Sequence, residues 1–121
     1  PVITQEEIID FQSLVRRMPV AEHVVRYAVN LVRATRPSQD NPYEASGKIQ
    51  WGAGPRASQS LILAAKARAA LEGRYAAGVD DVKHVASAVL GHRVVVSFDA
   101  ASEGISTESV VKDLLTQVAT E

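Results

Sequence analysis

The stretch from Gly52 to Arg74, GAGPRASQSLILAAKARAALEGR, decides the fold of this chain. It opens with two glycines and a proline and continues mainly with alanine and leucine, which are strong helix formers. Pro55 suits the first position of a helix, where its missing N–H costs nothing. Gly73 suits the left-handed position that commonly closes a helix. The pattern predicts a helix from Pro55 to Glu72. Because apolar residues occupy nearly its whole circumference, we expect it to be central and buried, with the other helices packed around it.

Arg56 is the chemically unusual residue of this stretch. It falls in the first helical turn, close to the positive end of the helix dipole, where a cation is unfavourable by roughly 0.3–1 kcal/mol. A bound anion would reverse that preference, since helix N-termini are natural phosphate sites. The flexible Gly52-Ala53-Gly54 segment lets a ligand approach the backbone closely. Arg56 is therefore a candidate phosphate ligand; pairing with a carboxylate, or simple solvation, is the alternative interpretation.

Composition limits the classes of function. A chain of 121 residues, of which 46% are hydrophobic, is typical of one folded domain. A net charge of −1 argues against a strongly electrostatic nucleic-acid binder, and the absence of cysteine excludes disulfides and thiolate metal sites. No apolar run approaches the roughly 20 residues that span a bilayer, and no signal peptide is visible. We expect a soluble intracellular domain. Since the chain begins at Pro1 rather than Met, we also expect a piece of a longer protein.

Further patterns on both sides of this stretch predict the remaining elements. Thr4 and Glu7 have the spacing of a capping box, and Ser106 can cap a last helix. A β-branched run from Val94 to Phe98 predicts a strand that could pair with residues 49–51 as a small ribbon. Residues 37–47 are rich in turn formers and predict a surface loop. The other predicted helices run from about Gln5 to Arg17, from about Ala21 to Ala34 and from Val79 to Leu90. The sum is a compact domain of five helices.

Other short motifs do not indicate catalysis. Gly47-Lys48 lacks the earlier glycine and the following Ser or Thr of a phosphate-binding loop. Gly52-Ala53-Gly54 is a weak half of a dinucleotide fingerprint. Asp81 and His84 can meet on one helix face, which we interpret as a surface pair rather than a metal site. His92-Arg93 follows a helix end, where a cation is favourable, and indicates either helix termination or a contact with a subunit or nucleotide.

Basic and aromatic residues leave two interpretations open. The arginines of the first two predicted helices are offset by acidic residues, so a solvated face is preferred over a nucleic-acid patch. Tyr43 and Trp51 flank the loop and either pack on the core or contact a partner. The arginines are Arg16, Arg17, Arg26, Arg33 and Arg36.

A series of short motifs, in order along nearly the whole chain, resembles the C-terminal lid domain of MoxR-type AAA+ ATPases. The departures are small: Gly54 stands where many members have Ser, and Gly78-Val79 stands where many have Thr-Pro. The motifs are Tyr27 with Leu31-Val32-Arg33-Ala34-Thr35-Arg36, Trp51-Gly52-Ala53-Gly54-Pro55-Arg56-Ala57, Lys66-Ala67-Arg68-Ala69, Gly73-Arg74, Asp80-Asp81-Val82 and Val89-Leu90-Gly91-His92-Arg93.

The resemblance implies a mainly α, five-helix lid over residues 1–121, with the nucleotide-binding core of the ATPase elsewhere. It implies that Arg56 is the second-sensor arginine, which reaches the γ-phosphate of ATP in its own subunit or a neighbour's, with Pro55 and Gly54 on the phosphate side. The implied cofactor is ATP with Mg²⁺ in the full-length protein, with no ligand and no metal held by this chain alone.

The same resemblance implies the partners and the location. The partners are the protein's own AAA+ core, neighbouring subunits of a ring and a protein client that is remodelled in a chaperone-like way, all in the cytoplasm. This chain alone should not hydrolyse ATP. The alternative function is a stand-alone helical module that binds protein or nucleic acid.

Overall fold

A computed structural model of the chain describes residues 2–37 and 41–119, apart from the side chain of Glu44. The helices within these residues are α1 (Gln5–Arg17), α2 (Glu22–Ala34), a 3-10 helix (Glu44–Lys48), α3 (Arg56–Leu71), α4 (Val79–Leu90), α5 (Phe98–Ser102) and α6 (Thr107–Gln117). The strands are β1 (Ile49–Trp51) and β2 (Val95–Val96).

Local side-chain and backbone caps explain where the helices begin and end. Thr4 Oγ1 accepts from the Glu7 N–H, and Glu7 Oε1 accepts from the Thr4 N–H, so the predicted capping box of α1 is confirmed. Ser106 Oγ accepts from the Ser109 N–H at 3.1 Å and starts α6 as predicted. Gly73 has φ +76° and closes α3, while the Arg74 N–H reaches back to the carbonyl of Ala69 at 2.9 Å. This is the Schellman ending that glycine favours.

The central helix α3 buries one stripe rather than its whole surface. It packs against α4, α2 and α1, and its buried residues are Ala57, Leu61, Ala65 and Ala69. Leu63 and Leu71 remain 48% and 77% exposed. The expectation of a helix buried all round is therefore wrong. Alanine favours a helix through its propensity alone and is tolerated on either face, so an alanine-rich stretch does not show which side is covered.

The predicted ribbon is present. β1 and β2 pair in antiparallel fashion, with Ile49 opposite Val96 and Trp51 opposite Val95. The second strand is shorter than its β-branched run predicts, because Ser97 Oγ accepts from the Ala100 N–H at 3.2 Å and starts α5.

The predicted loop over residues 37–47 contains regular structure at its C-terminal end. Its end forms most of the 3-10 helix, in which Ser46 is buried and donates through Oγ to the carbonyl of Ala34. The part of this loop at residues 38–40 lies outside the described residues.

The mainly α fold with a small two-stranded ribbon is confirmed. The boundaries of α1 and α4 agree with the prediction, whereas α5 and the 3-10 helix were not predicted. Most of the buried apolar side chains form one cluster, to which every helix from α2 to α4, as well as α6, contributes. No helix within the described part of the chain is both long and apolar enough to cross a bilayer.

Candidate phosphate-contact site and a buried aspartate

Arg56 is the first residue of α3, and its side chain is exposed. The first turn of this helix contains no acidic residue. Within residues 2–37 and 41–119 the Arg56 guanidinium forms no ion pair. Of the interpretations of Arg56, pairing with a carboxylate therefore finds no support in these residues, whereas phosphate binding and simple solvation both agree with an exposed guanidinium. An exposed guanidinium at a helix N-terminus leaves room for an anion.

The segment before Arg56 is held against the end of α2. A Cβ at Gly52 would lie 2.4 Å from the carbonyl oxygen of Thr35, so only glycine fits there. The Ala53 N–H donates to Thr35 Oγ1 at 2.9 Å, and Thr35 Oγ1 donates to the carbonyl of Val32 at 2.6 Å. Thr35 is fully buried, so these bonds satisfy a hydroxyl that would otherwise be costly to bury.

A charged residue completes this junction. Arg36 Nε donates to the carbonyl of Ala53 at 3.3 Å, although the Arg36 side chain remains largely exposed. The two sequence segments around Thr35 and around Ala53 thus meet in space. Thr35 and Arg36, which follow α2 directly, both hydrogen-bond to the backbone of Ala53. These bonds fix the position of the start of α3 relative to α2.

Gly54 and Pro55 form the entry to α3. The Gly54 carbonyl accepts from the Ala57 N–H at 3.0 Å, and the Pro55 carbonyl accepts from Ser58 Oγ at 2.7 Å. Pro55 has helical dihedrals but lies one residue before the helix, rather than at its first position as predicted. A Cβ at Gly54 would meet no atom within 4 Å, so the serine that many family members have there would fit without strain.

An open cleft of about 440 Å³ lies along α3 beyond Arg56. Gln59 and Leu63 line it, and they lie three and seven residues after Arg56, on the same side of the helix. Arg16 of α1 and Lys66 of α3 contribute two cationic groups to its lining. The lining of this cleft therefore carries two positive charges.

Asp81 lies at the opposite end of α3 from Arg56, and its side chain is fully buried. Its Oδ1 accepts from Arg68 Nη1 at 2.7 Å and also from Arg74 Nη2. Its Oδ2 accepts from Arg74 Nη1 at 2.7 Å and from the Gly78 N–H at 2.8 Å. Asp81 thus joins the last turns of α3 and the turn after it to the start of α4.

The arginines set the charge state of Asp81. Hydrogen bonds from Arg74 hold the pKa of the Asp81 carboxyl well below its usual range, with further lowering by the Gly78 N–H and by Arg68. Burial acts in the opposite direction but is outweighed. The same hydrogen bond raises the pKa of Arg74 above its ordinary value. The group is therefore an ion cluster at neutral pH.

The predicted surface pair of Asp81 and His84 is wrong, because Asp81 points into the cluster with the arginines while His84 is exposed. Helical spacing alone placed these two side chains on one face and did not reveal contacts from another element. A usable signal was present in the sequence: Arg68, Arg74 and Asp81 all belong to the motif series that carries the family resemblance.

Among the described residues, the remaining titratable groups form no second buried cluster like that of Asp81. Within the described residues, no group of three or more His, Asp or Glu side chains could hold a metal ion. Arg93 Nη1 donates to the carbonyl of Val89 at 2.7 Å and contacts His92 Nε2 at 2.7 Å, which supports the interpretation of His92-Arg93 as a helix ending. The five arginines of the first two helices are exposed, as a solvated face requires.

The two flanking aromatic residues take different positions. Tyr43 packs against the core cluster and is only partly exposed. Trp51 is 67% exposed on the ribbon, immediately before the segment that carries Arg56.

Comparison with known proteins identifies the family. The AAA lid domain family matches residues 42–114. The chain is 34% identical over 119 residues to the chaperone MoxR1 of Mycobacterium tuberculosis, and 32% identical over 118 residues to the uncharacterized protein YeaC of Bacillus subtilis. Each match covers 98% of this chain but only 32% and 34% of the respective relative. The chain thus spans about a third of the length of these relatives.

A solved structure shows the same architecture. The crystal structure of a candidate ATPase from Cytophaga hutchinsonii superposes with a TM-score of 0.89 at 29% sequence identity, and the match covers 98% of this chain and 36% of that one. The family match covers more than half of the chain, and the fold and the motif series agree with it. The chain therefore belongs to the AAA lid domain family.

Proposed function

We propose that this chain is the lid and second-sensor domain of a longer MoxR-type AAA+ ATPase, and that Arg56 contacts the γ-phosphate of ATP held by the nucleotide-binding core of that protein. The observation that carries the proposal is an exposed arginine at the N-terminus of α3, with no carboxylate in the first helical turn. Family membership, and relatives about three times as long as this chain, support the existence of such a core.

The chemistry of Arg56 suits a phosphate. A guanidinium donates two parallel hydrogen bonds to phosphate oxygens, which a lysine ammonium cannot do. The N-terminal dipole of α3 favours the same anion, so helix and side chain act together. As charge develops on the transferred phosphoryl group, Arg56 would stabilise it. Mg²⁺ would be bound by the core and the nucleotide rather than by this chain.

Arg56 is suited to act as a sensor because the backbone segment before it is held by hydrogen bonds to the end of α2. Its position follows that of α2, because the bonds from Ala53 to Thr35 and from Arg36 to Ala53 fix the preceding segment. A contact between Arg56 and the γ-phosphate would hold the whole lid near the core, and loss of that phosphate would release it. Gly54 and Pro55, which precede Arg56 and carry no charge, leave the approach open.

Coupling of lid movement to ATP hydrolysis would allow the whole protein to do mechanical work on another protein. We propose a ring of ATPase subunits in the cytoplasm that remodels a protein client, in keeping with the name of one relative as a chaperone. The client would contact surfaces outside Arg56, since that residue would be occupied by nucleotide.

The test is ATP turnover by the full-length protein. We expect Arg56→Ala to lower kcat at least tenfold, which corresponds to about 1.4 kcal/mol of transition-state stabilisation. Arg56→Lys should recover only part of the loss, since it keeps the charge but not the paired donors. Lys112→Ala, which removes an exposed cation from α6, is the matched control and should leave turnover unchanged. Equal turnover by wild type and Arg56→Ala would refute the assignment.

A further inference from the structure

Two arginines share one cleft at the C-terminal end of α2. The cleft is open, has a volume of about 520 Å³ and lies between the end of α2 and residues 41–43. Arg33 and Arg36 line it, together with the side chain of Asn30. We call it the α2 cleft. Within the described residues no acidic side chain lines it, and neither arginine forms an ion pair. The α2 cleft therefore has two positive charges that no carboxylate in this part of the chain balances.

The arginines are not needed to cap α2, because other donors satisfy the carbonyls at its end. The Ala34 carbonyl accepts from Asn41 Nδ2 at 2.9 Å and also from Ser46 Oγ. The Arg36 carbonyl accepts from the same Asn41 nitrogen at 3.0 Å. Of the two guanidinium groups, only Nε of Arg36 has a hydrogen-bond partner among the described residues, namely the carbonyl of Ala53. The other guanidinium N–H groups in the α2 cleft are therefore available to a ligand.

The opposite wall of the α2 cleft has a defined position. Besides its two hydrogen bonds to the end of α2, Asn41 accepts from the Tyr43 N–H through Oδ1 at 3.1 Å. The Tyr43 side chain packs against the core cluster. Pro42 and Tyr43 give this wall an apolar side. A ligand would therefore meet two walls that are already in place, which lowers the entropy lost on binding.

The chemistry of the α2 cleft matches a phosphate group better than a carboxylate. A phosphate monoester carries a charge of about −1.5 to −2 at pH 7 and has three strong acceptor oxygens. Two guanidinium groups can neutralise that charge and donate paired hydrogen bonds to it. A carboxylate carries a single charge and is satisfied by one guanidinium, so the second arginine would stay unbalanced. The volume of the cleft falls within the roughly 300–1,000 Å³ of small-molecule sites.

We propose that the α2 cleft binds the phosphate group of a small molecule, with Arg33 and Arg36 as the phosphate ligands. The source of the phosphate is either an ester, whose apolar part would lie against Pro42 and Tyr43, or free phosphate. Because Arg36 also donates to the carbonyl of Ala53, the ligand would contact the same side chain that holds the segment before α3. This proposal does not depend on the role of Arg56.

Titration of the 121-residue chain, followed by NMR, tests the proposal. The chain has its own core, and melting curves check that every variant is folded. All measurements use an Arg56→Ala background, so that phosphate bound at the start of α3 does not contribute. The probes are phenyl phosphate and inorganic phosphate, with glutarate as a dicarboxylate control. We expect at least one phosphate probe to shift the resonances of Arg33 and Arg36 in a saturable way, and glutarate to bind at least about tenfold more weakly.

Matched variants separate the α2 cleft from general positive charge. Arg33→Gln removes a guanidinium that makes no other contact in the described residues, and it should weaken phosphate binding at least about tenfold. Arg26→Gln, which removes another exposed arginine of α2, should leave the affinity unchanged. Tighter binding of phenyl phosphate identifies an ester as the ligand, and binding of inorganic phosphate at least as tight identifies free phosphate. Absence of saturable binding, equal affinity of the Arg33→Gln chain, or equal binding of glutarate would overturn the proposal.

Discussion

Replacement of Asp81 by asparagine is the most informative perturbation of this fold. The substitution keeps the shape of the side chain, so no cavity forms. It removes the negative charge that faces Arg68 and Arg74, and it turns one acceptor oxygen into an NH₂ group that points at donors. Four hydrogen bonds to the carboxylate are affected: those from Arg68 Nη1, from both terminal nitrogens of Arg74 and from the Gly78 N–H.

The magnitude follows from the burial of the three side chains. Removal of one partner from a buried ion pair typically costs 3–5 kcal/mol, because the remaining charge is left uncompensated. Here the side chains of Arg68 and Arg74 are 25% and 42% exposed, so water can solvate part of their charge. We therefore expect Asp81→Asn to lower the free energy of unfolding by about 3 kcal/mol, at the low end of that range. For a chain of this size the loss corresponds to a fall in Tm of about 12 °C.

Urea and thermal unfolding, followed by circular dichroism at pH 7, measure this loss. Asp80→Asn is the matched control, since Asp80 is the adjacent, exposed residue of the same helical turn. It loses only a favourable interaction with the helix dipole, worth less than about 1 kcal/mol. A loss for Asp81→Asn no larger than that of Asp80→Asn would show that the buried cluster does not stabilise the fold.

The pH dependence of stability gives an independent check. The pKa of Asp81 is lower in the folded state than in the unfolded chain, where it is about 3.9. Its contribution is therefore complete above that value and is lost as the pH falls towards the folded pKa. We expect wild type to lose stability between about pH 5 and pH 2. Asp81→Asn should lose less over the same interval, and identical pH profiles would contradict the assignment of the acid-sensitive group.

Two further predictions concern the junction before Arg56 and the core beneath α3. Gly52→Ala should destabilise the chain by about 1–3 kcal/mol, because the new Cβ would overlap the Thr35 carbonyl. At Gly54→Ala the new Cβ would meet no atom, so this control should change stability by less than about 1 kcal/mol. Equal losses of stability in chemical denaturation would argue against the close approach of loop and helix. Leu61→Ala should lower the free energy of unfolding by about 2–5 kcal/mol, since Leu61 is fully buried. Leu63→Ala, at a side chain that is 48% exposed, should lower it much less in the same assay. A reversed order would mean that the buried face of α3 is assigned incorrectly.

Local sequence signals predicted the elements well and the tertiary contacts poorly. The Thr4–Glu7 box, the Ser106 cap and the glycine at the end of α3 act within a few residues, so a single segment reveals them. The burial of Asp81 depends on arginines 13 and 7 residues away, on a neighbouring helix and the turn that follows it, which helical periodicity does not report. For the same reason the alanine-rich α3 did not reveal which of its faces is covered.

At the candidate phosphate site, too, the sequence predicted the local features but not the tertiary contacts. The residue type, its position in the first turn and the glycines before it were readable from the chain alone. The hydrogen bonds of Thr35 and Arg36 to Ala53 were not readable from the chain. These residues lie about 18 positions apart in sequence and meet only after the chain that follows α2 returns towards the end of that helix.

The length of α3 gives the lid a mechanical property. Its 16 residues extend over about 24 Å, with Arg56 at one end and the Asp81 cluster near the other. A rotation of about 10° around the Arg56 end would carry the far end through about 4 Å, if the helix remains straight over that length. Because the Asp81 cluster joins that far end to α4, the two helices would move together. A small rotation at the Arg56 end would therefore become, at the opposite rim of the domain, a displacement comparable to the width of a side chain.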